Sequence, residues 1–287
     1  MSDIDYLDHT VVLSRDLAEI AARYEALGFT LSPPSAHRLS EQLGGPMAGH
    51  TCTANRCACF GESFVELLGI VAPDAPDPWH VKELSASHRG LLLTVGTGDA
   101  EATERRWRSA GFPSTGVRDL ERDVETPEGE RTVRARGVYL DPGSALGVGF
   151  QAGQHLTPQY VHQPHLLSHP NGAVGLASVL LVVADDALDT YAERYSVILD
   201  VPHGTDGPKR VFPLRAGRFE VTPVSAAREF LPVHDTPVLA AQTIAVTDLG
   251  RARKLVEGNG IETRTVPDGF LVRAADAGGA AVVFSER

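Results

Sequence analysis

Apolar and polar positions along the chain form a pattern that returns four times. Each copy opens with an extended apolar segment, passes an Asp, continues with apolar residues at helical spacing, and closes at Gly before another apolar residue. In the first copy, LDHTVVLSRDLAEIAARYEALGF, alternation from Leu7 to Leu13 predicts a strand. Leu17, Ile20, Ala21, Tyr24 and Leu27 then recur on one helix face. Asp16 stands where a carboxylate accepts from the free amides of a first turn, and Gly28 where a left-handed cap is needed. LLLTVGTGDAEATERRWRSAGF and LAAQTIAVTDLGRARKLVEGNGI repeat this plan, and Asp16 to Gly28, Asp99 to Gly111 and Asp248 to Gly260 all span twelve positions. The copy LASVLLVVADDALDTYAERYSVIL, beginning near Leu176, slips by about two residues.

Each copy is followed by short extended stretches broken at Gly, Pro and Asp, such as CTANRCACFGESFVELLGI and RVFPLRAGRFEVTPV. These predict three strands after each helix, an α+β chain of four βαβββ units. The units start near residues 5, 90, 175 and 239, too unevenly for a solenoid. They pair into two domains, 1–155 and 173–287, joined by a linker at 156–172 rich in His, Pro and Gln.

Composition narrows the function. The chain has 287 residues, 43% of them hydrophobic, and a net charge of −11 from 26 basic and 37 acidic side chains. Such a chain has no electrostatic reason to seek nucleic acid or an anionic membrane. The opening MSDIDYLDHT is not a secretory leader and no long apolar run follows, so a cytoplasmic location is expected by elimination. Cys52, Cys57 and Cys59 are an odd number, with Cys57 and Cys59 on one strand face, and read as buried structural thiols.

LDHTVVLSRDL, FVELLGI and the loop SHPNGAVGLASV resemble the glyoxalase-like proteins of the vicinal-oxygen-chelate superfamily, which includes glyoxalase I, extradiol dioxygenases and fosfomycin and bleomycin resistance proteins. The resemblance covers nearly the whole chain. It implies two tandem domains of curved mixed sheet, each with metal ligands on the first and last strands of its units. Carried over position by position, these fall on His9 and Glu66 in the first unit and near Leu92 and Val148 in the second, with Gln151 as the substitute for Val148. In the second domain they fall near Ser178, Ala241, Glu220 and Val283, of which only Glu220 is a strong ligand. A two-domain extradiol dioxygenase, with its iron in the second domain, is therefore disfavoured.

Without the family, strand alternation places His9 with Leu7 and Val11, and Glu66 with Phe64 and Leu68. A carboxylate among apolar neighbours must be paired or bound to a cation. Glu66 and His9 are thus the candidate catalytic pair; the resemblance adds Gln151 as a third metal ligand, and Glu220, the counterpart of Glu66 in RFEVTP, marks a second cavity. One divalent ion (Fe, Mn, Ni or Zn), or none, is the cofactor expectation. His155, His162, His165 and His169 read as a wrapping segment interrupted by prolines, and EQLGGPMAGHT as a lid or a plain hairpin.

Three functions remain open for a small-molecule ligand in the first domain. They are a metal-dependent lyase or isomerase, a metal-free acid–base enzyme using Glu66 or His9, and a non-catalytic binder that sequesters an antibiotic. A homodimer covering free sheet edges is the expected assembly.

Overall fold

The computed structural model describes residues 3–87, 90–141, 147–233 and 235–286. Four βαβββ units are present. The first holds β1 (Ile4–Ser14), α1 (Leu17–Ala26), β2 (Ser35–Leu39), β3 (Thr53–Cys59) and β4 (Phe64–Ile70). After α2 (Val81–Ser87), the second holds β5 (Leu92–Thr97), α3 (Ala100–Ser109), β6 (Ser114–Thr126), β7 (Gly129–Leu140) and β8 (Phe150–His155). After α4 (Pro158–Val161), the third holds β9 (Ala173–Val183), α5 (Leu188–Leu199), β10 (Gly204–Asp206), β11 (Lys209–Pro213) and β12 (Arg218–Pro223). After α6 (Val224–Ala227), the fourth holds β13 (Val238–Val246), α7 (Leu249–Gly258), β14 (Thr263–Val266), β15 (Gly269–Val272) and β16 (Ala281–Glu286).

Local chemistry explains the repeat. Asp16, Asp99 and Asp248 all cap their helices through side-chain acceptance of backbone N–H groups. Gly28, Gly111 and Gly260 follow with φ of +89°, +83° and +80°, a region that favours glycine. The third unit departs from this plan: a 3₁₀ turn, Asp185–Ala187, precedes α5, and Asp200 takes the left-handed position with φ of +55°. The added 3₁₀ turn accounts for the slip in its sequence.

Two modules close into a barrel in the order β1-β4-β3-β2-β6-β7-β8-β5. The other two form an open eight-stranded sheet, β10-β11-β12-β9-β13-β16-β15-β14. In both, first strands pair antiparallel, β1 with β5 and β9 with β13. Only the barrel has a second seam, where His37, Arg38 and Leu39 of β2 pair with Arg122, Glu121 and Leu120 of β6. A continuous apolar core runs from α1 and α3 through the strands of both sheets. One polar bridge crosses it: Thr10 donates to Gln242 Oε1, and Gln242 Nε2 donates to Tyr24 Oη at 2.9 Å.

Residues 156–172 pack against the barrel, burying Val161, Gln163, Leu166, His169 and Asn171, with Val161 reaching the cavity. His169 is fully engaged: its Nδ1 accepts from Thr30 N–H at 3.0 Å and its Nε2 contacts Cys59 O at 2.8 Å, which sets the neutral tautomer. Burial lowers the His169 pKa, and burial lowers that of His162 from 6.5 to about 4. The unfolded chain therefore takes up protons first as pH falls, so these two groups withdraw stability below about 6.5, down to about 4 for His162. His169→Asn should make the unfolding midpoint in urea fall less between pH 7 and pH 5 than it does in the wild type, while lowering stability at pH 7.

Candidate functional site

The barrel encloses a cavity of about 420 Å³, within the range of small-molecule sites. Its shape begins with a fault in β1. Leu7 pairs with Val95 and His9 with Thr94, so Asp8 is an extra residue, as in a β-bulge. The alternation predicted from sequence is thereby broken. Leu7 turns into the main apolar core, and Asp8 joins His9 and Val11 in lining the cavity. On β4, Phe64, Glu66 and Leu68 share the cavity side, as strand alternation requires.

Asp8, at 0% exposure, and Glu66, at 8%, are ionisable groups that cannot be left alone. The structure answers with a row of alternating imidazoles and carboxylates. His37 Nε2 lies 3.4 Å from Glu66 Oε1, and Glu66 Oε2 lies 3.5 Å from His9 Nε2. His9 Nδ1 lies 3.4 Å from Asp8 Oδ1, and His155 Nε2 lies 2.9 Å from Asp8 Oδ2. Asn55 Nδ2 adds a hydrogen bond of 2.6 Å to Glu66 Oε1. Phe64 stacks on His9 with ring centroids 4.2 Å apart.

Charge follows from this arrangement. Burial works to raise the Glu66 pKa, but His37, His9 and Asn55 outweigh it and bring it from 4.5 down to about 2. Glu66 is therefore a carboxylate at neutral pH, not the raised acid that burial alone would give. Asp8 is likewise driven well below the carboxylate range, because the charges and hydrogen bonds of His155 and His9 exceed the cost of burial. His155 is raised in turn: burial lowers it, but the Asp8 charge and hydrogen bond win.

The residues proposed from sequence fall as follows. His9, Glu66 and Gln151 line the one cavity. Register places Thr94, not Leu92, opposite His9, and Gln151 opposite Thr94 on β8. Val148 precedes that strand, and the turn at 142–146 lies outside the described residues. Gln151 Nε2 donates to Thr94 Oγ1 at 2.6 Å, and Thr94 Oγ1 is 2.9 Å from His9 Nε2. In the second sheet the matching positions are Ser178, Thr243, Glu220 and Val283, so Ala241 is displaced by two, as Leu92 was. Glu220 is buried and paired with Lys209 at 2.9 Å and with Arg218, and it does not line the barrel cavity. Segment 41–51 contributes nothing to the cavity wall, and Ser40 and Met47 bridge as a small hairpin.

Sequence reasoning missed Asp8, His37, Asn55, Thr94 and His155 as parts of the site. His155 ends β8 instead of starting a linker. His37 and Asn55 carry the period-2 signal of their strands, but only the closed barrel aims them at Glu66.

The donor set suits a divalent cation. His9 Nε2 and Glu66 Oε2 are too far apart for a good hydrogen bond, and their 3.5 Å is close to the roughly 3.4 Å between tetrahedral ligands on bonds of about 2.1 Å. His9 Nδ1 is buried without a hydrogen-bond partner. Asp8, His9 and His155 form a second set, with ligand atoms all within 4.8 Å of one another.

The model of a family described as a glyoxalase-like domain matches residues 7–199. The chain belongs to that family. Glyoxalase-like proteins are members of the vicinal-oxygen-chelate superfamily, and the four βαβββ units with barrel-like mixed sheet agree with that membership. Solved structures share the glyoxalase-like fold at low identity. A hypothetical protein from Staphylococcus aureus is 11% identical with a TM-score of 0.65, covering 99% of this chain and 100% of that one. A variant of 4-hydroxymandelate synthase from Streptomyces coelicolor is 14% identical with a TM-score of 0.58, covering 100% and 92%. The Mn(II)-bound glyoxalase from Novosphingobium aromaticivorans is 12% identical with a TM-score of 0.55, covering 99% and 82%. No curated protein matches the chain.

His155→Ala leaves the Asp8 carboxylate buried without its partner at 2.9 Å and should cost about 3–5 kcal/mol of unfolding free energy. Asp8→Asn in the same background should recover most of that loss. Chemical denaturation of the two single variants and the double variant measures the coupling.

Proposed function

We propose that this glyoxalase-like barrel is the active site of a chelate-type enzyme for a small molecule, with a divalent ion held by His9, Glu66 and Gln151. The observation that carries this reading is the placement of His9 between two carboxylates. Its Nε2 faces Glu66 at 3.5 Å on the cavity side, and its Nδ1 faces Asp8 at 3.4 Å behind it. A carboxylate behind a ligating imidazole fixes its tautomer and raises its basicity. When bound, the ion supplies positive charge to adjacent substrate oxygens. A manganese-bound glyoxalase has this fold, which makes manganese the first ion to try.

The chain's own residues do the rest. In this reading His9 carries its proton at Nδ1, on the side of the Asp8 carboxylate 3.4 Å away, and keeps its Nε2 lone pair toward the cavity. The Thr94 hydroxyl and a cation compete for that lone pair. Asn55 and His37 occupy Glu66 Oε1 and leave Oε2 toward His9. Trp79, Leu92 and Tyr139 form apolar walls that limit water at the reacting centre. Such a set serves proton transfer at a carbon beside a chelated oxygen, the chemistry of an isomerase or lyase.

A metal-free acid–base enzyme is the second reading, because the same row of imidazoles and carboxylates can pass a proton through His9 without an ion. Its ionised Glu66 would act as base and His9 as acid.

Elemental analysis of untagged protein, after exposure to manganese, iron, nickel and zinc, separates these readings. Near-stoichiometric metal in the wild type, lost in Glu66→Gln and His9→Ala, is the expected result. No metal in any of them sinks the chelate reading. Turnover that still depends on Glu66 and His9 would then favour acid–base chemistry, and a ligand recovered unchanged would leave sequestration.

A further inference from the structure

Of the three arginines that line the barrel cavity, Arg136 is paired with Asp119 and Glu101, and the other two are used neither by an ion pair nor by the row of imidazoles and carboxylates. Arg118 and Arg122 stand on β6 four residues apart with Leu120 between them, and all three line the cavity. Arg122 is only 6% exposed. Among the described residues neither guanidinium has an ion pair, and neither has a side-chain hydrogen bond. Their neighbours are different. Arg38 pairs with Asp123 at 2.6 Å, Arg134 with Glu121 at 3.0 Å and Arg136 with Asp119 at 3.4 Å. In a chain with 37 acidic residues, carboxylates were available and these two positions took none.

Both carboxylates in the cavity wall are already committed. Asp8 is held by His155 at 2.9 Å, and Glu66 by Asn55 at 2.6 Å. Arginine does not give up its proton in a protein, so Arg122 is a buried, fixed positive charge. Such a charge is costly unless an anion completes it. The seam places it usefully, because Arg122 pairs directly with His37 on β2, and His37 touches Glu66. The cavity thus has an anion-seeking wall beside the proposed reacting centre. Leu68, Trp79, Leu92 and Tyr139 line the same cavity.

We infer that the ligand of this cavity is a small organic acid, its carboxylate held by Arg118 and Arg122 and its apolar body against Leu68, Trp79 and Leu92. The inference rests on the reading of the barrel as the small-molecule site, and adds the charge and class of the substrate. A planar guanidinium meets a carboxylate through two parallel N–H···O bonds, which gives orientation as well as affinity. The acid is thereby fixed at one end, with its remaining atoms directed toward His9 and Glu66.

The test uses benzoate, phenylacetate and 3-phenylpropionate, each beside its carboxamide of the same shape, in calorimetric titrations of the whole protein. At least one acid should bind the wild type about tenfold or more tightly than its amide. Arg122→Met and Arg118→Met should each remove that preference by weakening acid binding far more than amide binding. Arg122→Met should also raise the thermal midpoint by roughly 2–4 °C, because it removes an uncompensated buried charge. If Arg122→Met does not fold, Arg118→Met carries the binding comparison alone.

Three results would overturn the inference: acids and amides that bind alike, no acid binding up to millimolar concentration, or a preference that survives both substitutions. Metal content on the same samples keeps the two claims apart. Bound metal without acid preference removes the organic-acid inference alone. Acid preference in a protein that binds no metal supports it and removes only the chelate reading.

Discussion

Three backbone pairs decide what this molecule can hold. Where His37, Arg38 and Leu39 meet Arg122, Glu121 and Leu120, the first two βαβββ units close into a barrel. The closure depends on the lengths of β6 and β7, 13 and 12 residues, which carry the hairpin far enough to reach β2. Without it, β2 and β6 would be edges with unpaired N–H and C=O groups. With it, side chains from all eight strands of the barrel line one space. Asp8, His9, His37 and Glu66 are buried in its wall, and burial strengthens the electrostatic interactions among them.

The low dielectric makes the identity of each polar group matter. A lone Glu66 or Asp8 at such a depth would take up a proton rather than remain charged. Three histidines and an asparagine reverse that preference. The bulge at Asp8 is what allows two consecutive residues of one strand to join the arrangement. A regular strand would have sent Asp8 to the other side, into the apolar core. The bulge thus places a carboxylate behind His9 where an ordinary pleat could not.

The fold was readable because its signals are local. Capping by Asp16, Asp99 and Asp248, the left-handed Gly28, Gly111 and Gly260 after those three helices, and apolar spacing within each helix are set by neighbouring residues in the chain. His9 and Glu66 were legible for a related reason, since strand alternation put Glu66 among apolar neighbours where a charge is conspicuous. Leu92 and Ala241 were each two residues short of the inward positions Thr94 and Thr243, because register between strands depends on pairing that single-strand patterns do not encode. Asp8 was hidden by the bulge. His37, Asn55 and Arg122 were hidden because nothing near them in sequence shows that β2 and β6 are partners.

The second half shows what the same unit becomes without its second seam. β10 and β14 are only three and four residues long, so the sheet stays open. An open cup with apolar walls must be covered. α6 and the chain after it do so: Ala227, Leu231 and Val233 pack against Leu180, Val182, Ala241 and Ala281. The positions that match His9 and Thr94 hold Ser178 and Thr243, joined by a hydrogen bond of 2.9 Å. Glu220, which matches Glu66, is neutralised by Lys209 and Arg218 instead of histidines. A carboxylate paired with a Lys and an Arg has lost the partners that could accept or release a proton near neutral pH. The two halves share one architecture, and they differ in strand length and in the partners each buried carboxylate receives.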